Sequence, residues 1–209
     1  MPIGLAVRRL LGPLEASVGR LYRDRFFDVR SFADALRSWI DARSILEIGC
    51  GDGLVTEELR RAFPGAEITG IDVRQRIGTL FRGDRAGVTF VSGDIASFAR
   101  RNRSRFDLAV ISDVLHHVAP QARPDLLRSA AAALCAGGGL GLKEWERRLN
   151  LPHLFAWLSD RFITGDRVRF ETAESWRALA VAALEGIVER EVRFPPWRNN
   201  VGLFIRRTG

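Results

Sequence analysis

The amino-acid sequence predicts a doubly wound α/β fold around a mostly parallel sheet. From residue 44 onward, short apolar runs alternate with stretches of helical periodicity. The runs are apolar throughout, which is typical of parallel strands that helices cover on both faces. Right-handed crossovers between such strands place helices on both sides of the sheet. The last two runs, residues 187–194 and 201–207, are joined by residues 195–200 alone, which predicts a terminal hairpin with one antiparallel strand.

The remaining elements follow one another in the order that this fold requires. The strands predicted for the parallel part are residues 44–48, 67–72, 88–92, 108–112 and 138–143. The helices predicted between and after them are residues 54–63, 74–81, 95–101, 120–134 and 172–184. Before the first strand, apolar residues at three- and four-residue steps predict helices over residues 3–21, with a break at Gly12-Pro13, and over residues 29–40.

Length and composition exclude several classes of protein. With 209 residues, 46% of them hydrophobic and 27% charged, the chain suits one domain with its own core rather than a disordered segment. Its longest uncharged apolar run, residues 130–142, is too short to cross a bilayer. Neither Cys50 nor Cys135 has metal-ligand spacing, and the first residues lack the pattern of a secretory signal. We therefore expect reduced thiols, no metal site and a cytoplasmic location.

The net charge of +7 raises the question of a nucleic-acid partner. The densest basic cluster, Arg100, Arg101, Arg103 and Arg105, directly precedes the fourth predicted strand. This position lies at the edge of the sheet opposite the carboxyl ends of the parallel strands, where such folds bind ligands. The cluster is therefore interpreted as a solvated loop, which argues against nucleic acid as a partner.

A glycine-rich turn follows the first strand and opens the next helix. Its sequence is Glu47-Ile48-Gly49-Cys50-Gly51-Asp52-Gly53. Glycines at alternate positions let the backbone turn sharply and approach a ligand closely, and the helix start beyond them offers free N–H groups. The spacing lacks the third glycine position of the dinucleotide pattern Gly-x-Gly-x-x-Gly. By itself such a turn could form a ligand site or merely a tight turn, and its spacing disfavours a dinucleotide.

Polar side chains follow the next three strands where each strand ends. Asp72 ends the second strand, where a carboxylate can accept from both ribose hydroxyls. Asp94 ends the third, where it can accept from an exocyclic amine while Ile95 lies against a purine. The fourth is followed by Asp113-Val114-Leu115-His116-His117. Four strand ends in register predict one binding site, although Asp72 and Asp94 could instead cap the helices that follow them.

These four segments resemble the class I S-adenosylmethionine-dependent methyltransferases, in particular the small-molecule branch with Leu-His-His after the fourth strand. The resemblance covers residues 44–144 and, by pattern, the C-terminal hairpin. It implies a Rossmann-like seven-stranded sheet of order 3-2-1-4-5-7-6 with strand 7 antiparallel, and S-adenosylmethionine as cofactor. Carried over by position, the cofactor contacts fall on Glu47, Gly49, Gly51, Gly53, Asp72, Val73, Asp94, Ile95, Ser112 and Asp113.

The resemblance gives these contacts separate tasks. The three glycines line the methionine and ribose, and Glu47 organises the loop beneath the methionine amine. Asp72 takes the ribose diol and Asp94 the adenine amine, while Ser112 and Asp113 touch the methionine. The candidate general bases are His116, His117 and, at the end of the fifth strand, Glu144. The alternative is that the histidine pair supports the fold and lines the pocket.

The flanking segments extend this interpretation. Residues 1–43 are expected to form a helical cap or arm before the domain of residues 44–209, and residues 145–171 a helical insert that covers the substrate. Residues 2–24 combine an apolar stripe with arginines. Such an arm either folds over the cofactor, as in many relatives, or lies on the inner face of an anionic membrane.

The sequence thus predicts S-adenosylmethionine-dependent methyl transfer to an oxygen or carbon of a small or lipid-like molecule. The alternatives are an RNA or protein methyltransferase, or a non-catalytic partner protein that binds the cofactor. An NAD-dependent dehydrogenase shares the fold and Asp72, but the glycine spacing and Asp94 disfavour it. The oligomeric state and the substrate stay open.

Overall fold

The computed structural model describes residues 29–148, 168–195 and 198–208. A single seven-stranded sheet runs through them in the order β3-β2-β1-β4-β5-β7-β6. The strands are β1 (Ser44–Ile48), β2 (Glu67–Asp72), β3 (Val88–Ser92), β4 (Phe106–Ser112), β5 (Leu134–Trp145), β6 (Gly186–Phe194) and β7 (Asn200–Arg207). Strands β1 to β5 pair in parallel, and β7 is antiparallel to both β5 and β6. The predicted strand order and the antiparallel β7 are confirmed.

Helices cover both faces of the sheet, as the apolar strands require. The helices are α1 (Val29–Trp39), α2 (Leu54–Ala62), α3 (Ile95–Arg101), α4 (Arg123–Ala133) and α5 (Ala173–Leu184). In β4, Leu108 and Val110 pack in one core with α1 and α2, while Ala109 and Ile111 pack in the other with α3, α4 and α5. Successive strand side chains point to opposite faces, so the side chains of β4 divide between the two cores.

The close packing of α1 against β5 depends on two glycines. Gly139 and Gly141 lie on the face of β5 that meets α1. A Cβ atom at Gly141 would overlap Leu36, and one at Gly139 would overlap the ring of Trp39. The absence of side chains at these two positions lets the helix approach the sheet directly.

One predicted element is wrong. Residues 74–81 form bends and a turn, not a helix. Two of their backbone N–H groups bond to the glycine turn: Gly78 N donates to Gly51 O at 2.9 Å and Leu80 N to Asp52 O at 2.8 Å. Gly78 also has a positive φ of 63°, which a helix does not allow. Residues 74–81 therefore pack against the turn after β1 and donate hydrogen bonds to its carbonyl groups.

Several predictions fall on residues that the structure does not describe. The arm of residues 2–24 lies wholly outside the described ranges, as does most of the predicted insert over residues 145–171. Within the described ranges, no helix is both long and apolar enough to span a membrane. The same part of the chain contains no group of three His, Cys, Asp or Glu side chains that could hold a metal ion.

Replacing Gly141 with alanine should lower the free energy of unfolding by about 1–3 kcal/mol, as overpacking of a filled core does. The added methyl group would overlap Leu36, which is fully buried and cannot withdraw into solvent. Gly65→Ala is the matched control, because a Cβ there meets no atom within 4 Å. Urea unfolding measures both variants, and equal stability of Gly141→Ala and the wild type would contradict the close contact of α1 with β5.

Candidate functional site

The glycine turn after β1 is pinned between the two neighbouring strands. Gly49, Gly51 and Gly53 all have positive φ angles, of 77°, 52° and 90°, a region that only glycine enters readily. Gly49 N and Cys50 N both donate to Ile71 O, at 2.7 and 3.1 Å. On the other side, a Cβ at Gly49 would overlap Val114, in the loop after β4. The turn is therefore held by β2 and by the loop that carries His116.

Asp72 joins the end of β2 to this turn. Its Oδ2 accepts from Gly51 N at 2.9 Å and its Oδ1 from Arg74 N at 3.0 Å. The Arg74 guanidinium reaches each oxygen at 3.4 Å. Partial burial acts to raise the pKa of Asp72, but these hydrogen bonds outweigh it and hold the pKa below its ordinary value. Val73, the next residue, is 75% exposed, so the strand tip offers a charged group beside an apolar surface.

Glu47 is buried beneath the turn. Thr56 Oγ1 donates to its Oε2 at 2.5 Å. Burial raises the pKa of Glu47 from 4.5 to about 8, and the nearby Asp52 and Asp72 add to this effect. The carboxyl group therefore stays protonated at neutral pH and ties β1 to the first turn of α2 without a buried charge.

Asp94 and Ile95 lie at the start of α3. Asp94 Oδ2 accepts from Ser97 N at 2.8 Å, so the carboxylate caps the helix. The pKa of Asp94 is lowered, mainly by this backbone hydrogen bond. Asp94 is exposed and Ile95 half-buried at the end of β3. The helix-capping alternative is thus realised, and cofactor contact through Asp94 stays a prediction.

Asp113 is held in a strained position after β4 by the only lysine of the chain. Its φ is 57°, uncommon for a residue with a side chain. Lys143 Nζ, fully buried, lies 2.6 Å from Asp113 Oδ2, and Ser112 Oγ donates to the same oxygen at 3.0 Å. Asp113 N donates to Lys143 O at 2.8 Å. Among the described residues, no group bonds the buried Oδ1 of Asp113.

His116 and Glu144 form a buried pair. Glu144 Oε2 lies 2.7 Å from His116 Nδ1, and its Oε1 accepts from Val114 N at 3.0 Å and Leu115 N at 2.6 Å. Both side chains are at most 5% exposed. Because Glu144 is engaged by the protein on both oxygens, it is suited to fixing the imidazole rather than to reaching a substrate. His117 is exposed, with its ring centroid 4.1 Å from that of His116.

A family model described as a methyltransferase domain matches residues 18–183, more than half of the chain. The chain belongs to this methyltransferase family. The match includes every residue of the site described above, from the glycine turn to Glu144. The seven-stranded sheet and the sequence resemblance agree with this membership.

Relatives and solved structures extend the comparison. The trans-aconitate 2-methyltransferase of Paracidovorax citrulli is 32% identical over 54% of this chain and 42% of its own. A ubiquinone biosynthesis O-methyltransferase of Aromatoleum aromaticum is 29% identical over 63% of this chain and 62% of its own. The chain thus spans less than two thirds of either relative. The fold is shared with the 1,6-didemethyltoxoflavin-N1-methyltransferase of Burkholderia thailandensis, which was crystallised with S-adenosylhomocysteine. The two structures superpose with a TM-score of 0.70 at 20% sequence identity, and the match covers 98% of this chain and 89% of the other.

Three polar residues of this methyltransferase domain were not singled out as site residues from the sequence. Thr56 bonds Glu47, Arg74 approaches Asp72, and Lys143 pairs with Asp113. Only Lys143 carried a signal, since it is the one lysine among 32 basic residues. The contacts of Thr56 and Arg74 depend on how the turn folds, which their positions in the sequence do not reveal.

The raised pKa of Glu47 should make the stability of the domain depend on pH. Between pH 4.5 and about 8 the unfolded chain has lost this proton and the folded chain has kept it. The free energy of unfolding should therefore fall as pH rises through this window, by up to about 1.4 kcal/mol per unit. Glu47→Gln keeps an acceptor for Thr56 and removes the titration, so its unfolding free energy should depend less on pH. Urea unfolding at pH 5 to 9 measures this, and parallel profiles for the two proteins would refute the assignment.

Proposed function

We propose that this protein transfers a methyl group from S-adenosylmethionine to a small-molecule acceptor, at oxygen or carbon. The observation that carries the proposal is the bond from Gly51 N to Asp72 Oδ2, which joins the glycine turn and the ribose-binding candidate into one unit. Membership of the methyltransferase family supports it. The named relatives act on trans-aconitate or in ubiquinone biosynthesis, which supports a small molecule as acceptor rather than RNA or protein.

The residues present fit the cofactor. The buried Oδ1 of Asp113 bonds no described group, and a buried acceptor of this kind calls for a donor. The ammonium group of the methionine moiety would supply one. Asp72 would accept from the ribose hydroxyls once the Arg74 guanidinium, whose side chain is 63% exposed, gives up its two long contacts. Val73 and Ile95 would bound the adenine.

S-adenosylmethionine, when bound, supplies an electrophilic methyl group on a sulfonium. The chain's own residues would hold the reactants in line, which is the main source of rate in such a reaction. An acceptor hydroxyl must also lose its proton. Glu144 accepts the Nδ1–H of His116, so Nε2 is the ring atom that would take the proton. His116 is therefore the proposed general base, and Glu144 the residue that fixes its tautomer.

The flanking segments enter this proposal as sequence predictions. Residues 2–24 would fold over the cofactor or contact an anionic membrane at its inner face, and residues 145–171 would cover the acceptor. A cytoplasmic location belongs to the same proposal. Support comes from the apolar stripe with interspersed arginines in the arm, and from the position of the insert directly after the strand that carries Glu144.

Calorimetry with S-adenosylmethionine, S-adenosylhomocysteine and NAD tests the cofactor. We expect the first two to bind and NAD not to bind. Asp72→Asn should weaken S-adenosylhomocysteine binding at least tenfold, because hydrogen bonds to a charged group contribute about 1.5–3 kcal/mol each. Asp84→Asn is the matched control, since Asp84 pairs with Arg60 on the surface. Unchanged affinity in a folded Asp72→Asn variant would remove the assignment of this carboxylate.

Loss of the proposed base should impair turnover and spare binding. With phenolic acceptors screened by release of S-adenosylhomocysteine, His116→Asn should lower kcat on the order of a hundredfold at unchanged cofactor affinity. His117→Asn serves as the comparison, because His117 is exposed whereas His116 is buried against Glu144. If both variants keep full turnover, the histidine pair supports the pocket and does not act as a base.

A further inference from the structure

We infer that Arg123 is a positioning residue that holds the segment of Arg169 to Glu171 against His116 and so fixes the imidazole. The inference rests on the proposed function, in which His116 is the base. Arg123 does not touch His116 itself. Its effect would pass through residues that contact both.

Arg123 is the only buried arginine among the described residues, at 2% exposure. A guanidinium taken out of water must be fully paired to remain charged in a fixed position. Its Nε donates to Val118 O at 3.0 Å, its Nη1 to Glu171 Oε1 at 3.0 Å and its Nη2 to Arg169 O at 2.7 Å. Its Cζ lies 4.9 Å from the ring centroid of Trp176 in α5. Each of the three acceptors is met by a different nitrogen of the planar fork, a geometry that the single nitrogen of a lysine does not offer.

These acceptors surround the loop that carries His116. Val118 lies two residues beyond His116, directly after the short 3-10 turn of Leu115–His117. Arg169 uses both of its backbone polar atoms in the same place: its N donates to His116 O at 2.9 Å, and its O accepts from Arg123. The guanidinium therefore bridges the loop after β4 and the segment before α5.

The residue after Arg169 contacts the imidazole. The ring of Phe170, itself buried, stacks on His116 with centroids 5.0 Å apart and planes 29° from parallel. Glu144 holds the Nδ1 edge of the same ring. His116 is thus fixed at one edge by Glu144 and over one face by Phe170, and Arg123 holds Phe170 in place through the residues on either side of it.

Asp72 and Glu47, at the candidate cofactor site, bond to none of these residues in the described contacts. Asp72 is held by Gly51 and Arg74, and Glu47 by Thr56. The described bonds of Arg123 go to Val118, Arg169 and Glu171 only. Loss of the guanidinium should therefore disturb the His116 imidazole and leave cofactor binding intact. A residue with a purely structural role would change the imidazole and the cofactor affinity together, or change neither of them.

The test uses the full chain labelled with ¹⁵N-histidine. The chain contains three histidines in all. Two-dimensional NMR reads the ring nitrogens, and His116→Gln identifies the signals of His116. In Arg123→Met these signals should move from a fixed Nδ1–H tautomer toward averaged values, with S-adenosylhomocysteine affinity within about twofold of the wild type (a difference of about 0.4 kcal/mol). Arg128→Met, on the same helix but exposed and paired with Asp125, should leave them unchanged.

Unmoved His116 signals in folded Arg123→Met would overturn the inference. If Arg123→Met lacks a cooperative thermal transition, Glu171→Gln takes its place, because it removes the carboxylate that pairs with the Arg123 guanidinium. A smaller shift of the His116 signals in the same direction then supports the inference. Unmoved His116 signals in Glu171→Gln overturn it. The proposed function fails separately, if S-adenosylhomocysteine does not bind the wild-type chain. The NMR comparison does not depend on that result.

Discussion

The attachment of the glycine turn to the end of β2 is the constraint on which the rest of the site depends. Gly49 and Cys50 donate to Ile71 O, and Gly51 donates to Asp72. These bonds exist because β1 and β2 are parallel and adjacent, so that their carboxyl ends reach the same edge. They bring a carboxylate next to a backbone without side chains, and the proposed ribose site rests on this combination.

A second constraint is the position of β5 beside β4. Lys143 and Glu144 are consecutive in β5 and therefore project to opposite faces of the sheet. Lys143 pairs with Asp113 and Glu144 with His116, both in the loop after β4. One strand thus fixes this loop from both faces. The register that places Ser112 opposite Lys143 decides which residue of the loop receives the cation and which the carboxylate.

The sequence predicted the strands well because each is a short apolar run between turn signals, and their order followed from the resemblance. The helix predicted over residues 74–81 does not form, because hydrogen bonds to the glycine turn take the place of helical hydrogen bonds. The glycine turn is distant from this segment in the sequence. The sequence indicated Asp72, His116 and Glu144 through their places at strand ends. It could not show that Glu144 faces inward onto His116, nor single out Arg123, because such pairings depend on contacts made between elements.

Two buried carboxyl groups of the site, Glu47 and Glu144, are held by different kinds of contact. Beneath the glycine turn, Glu47 is kept neutral by burial and needs only the Thr56 hydroxyl, so β1 and α2 meet without a charge between them. Around His116, Glu144 is instead bonded to three donors, and the buried guanidinium of Arg123 is bonded to three acceptors. A neutral contact tolerates small movements, whereas buried ion pairs lose much of their stabilisation when the geometry changes. The contacts around His116 are therefore the more sensitive to a change in geometry, and in the proposed reaction they would keep the ring nitrogen that takes the acceptor's proton in one place.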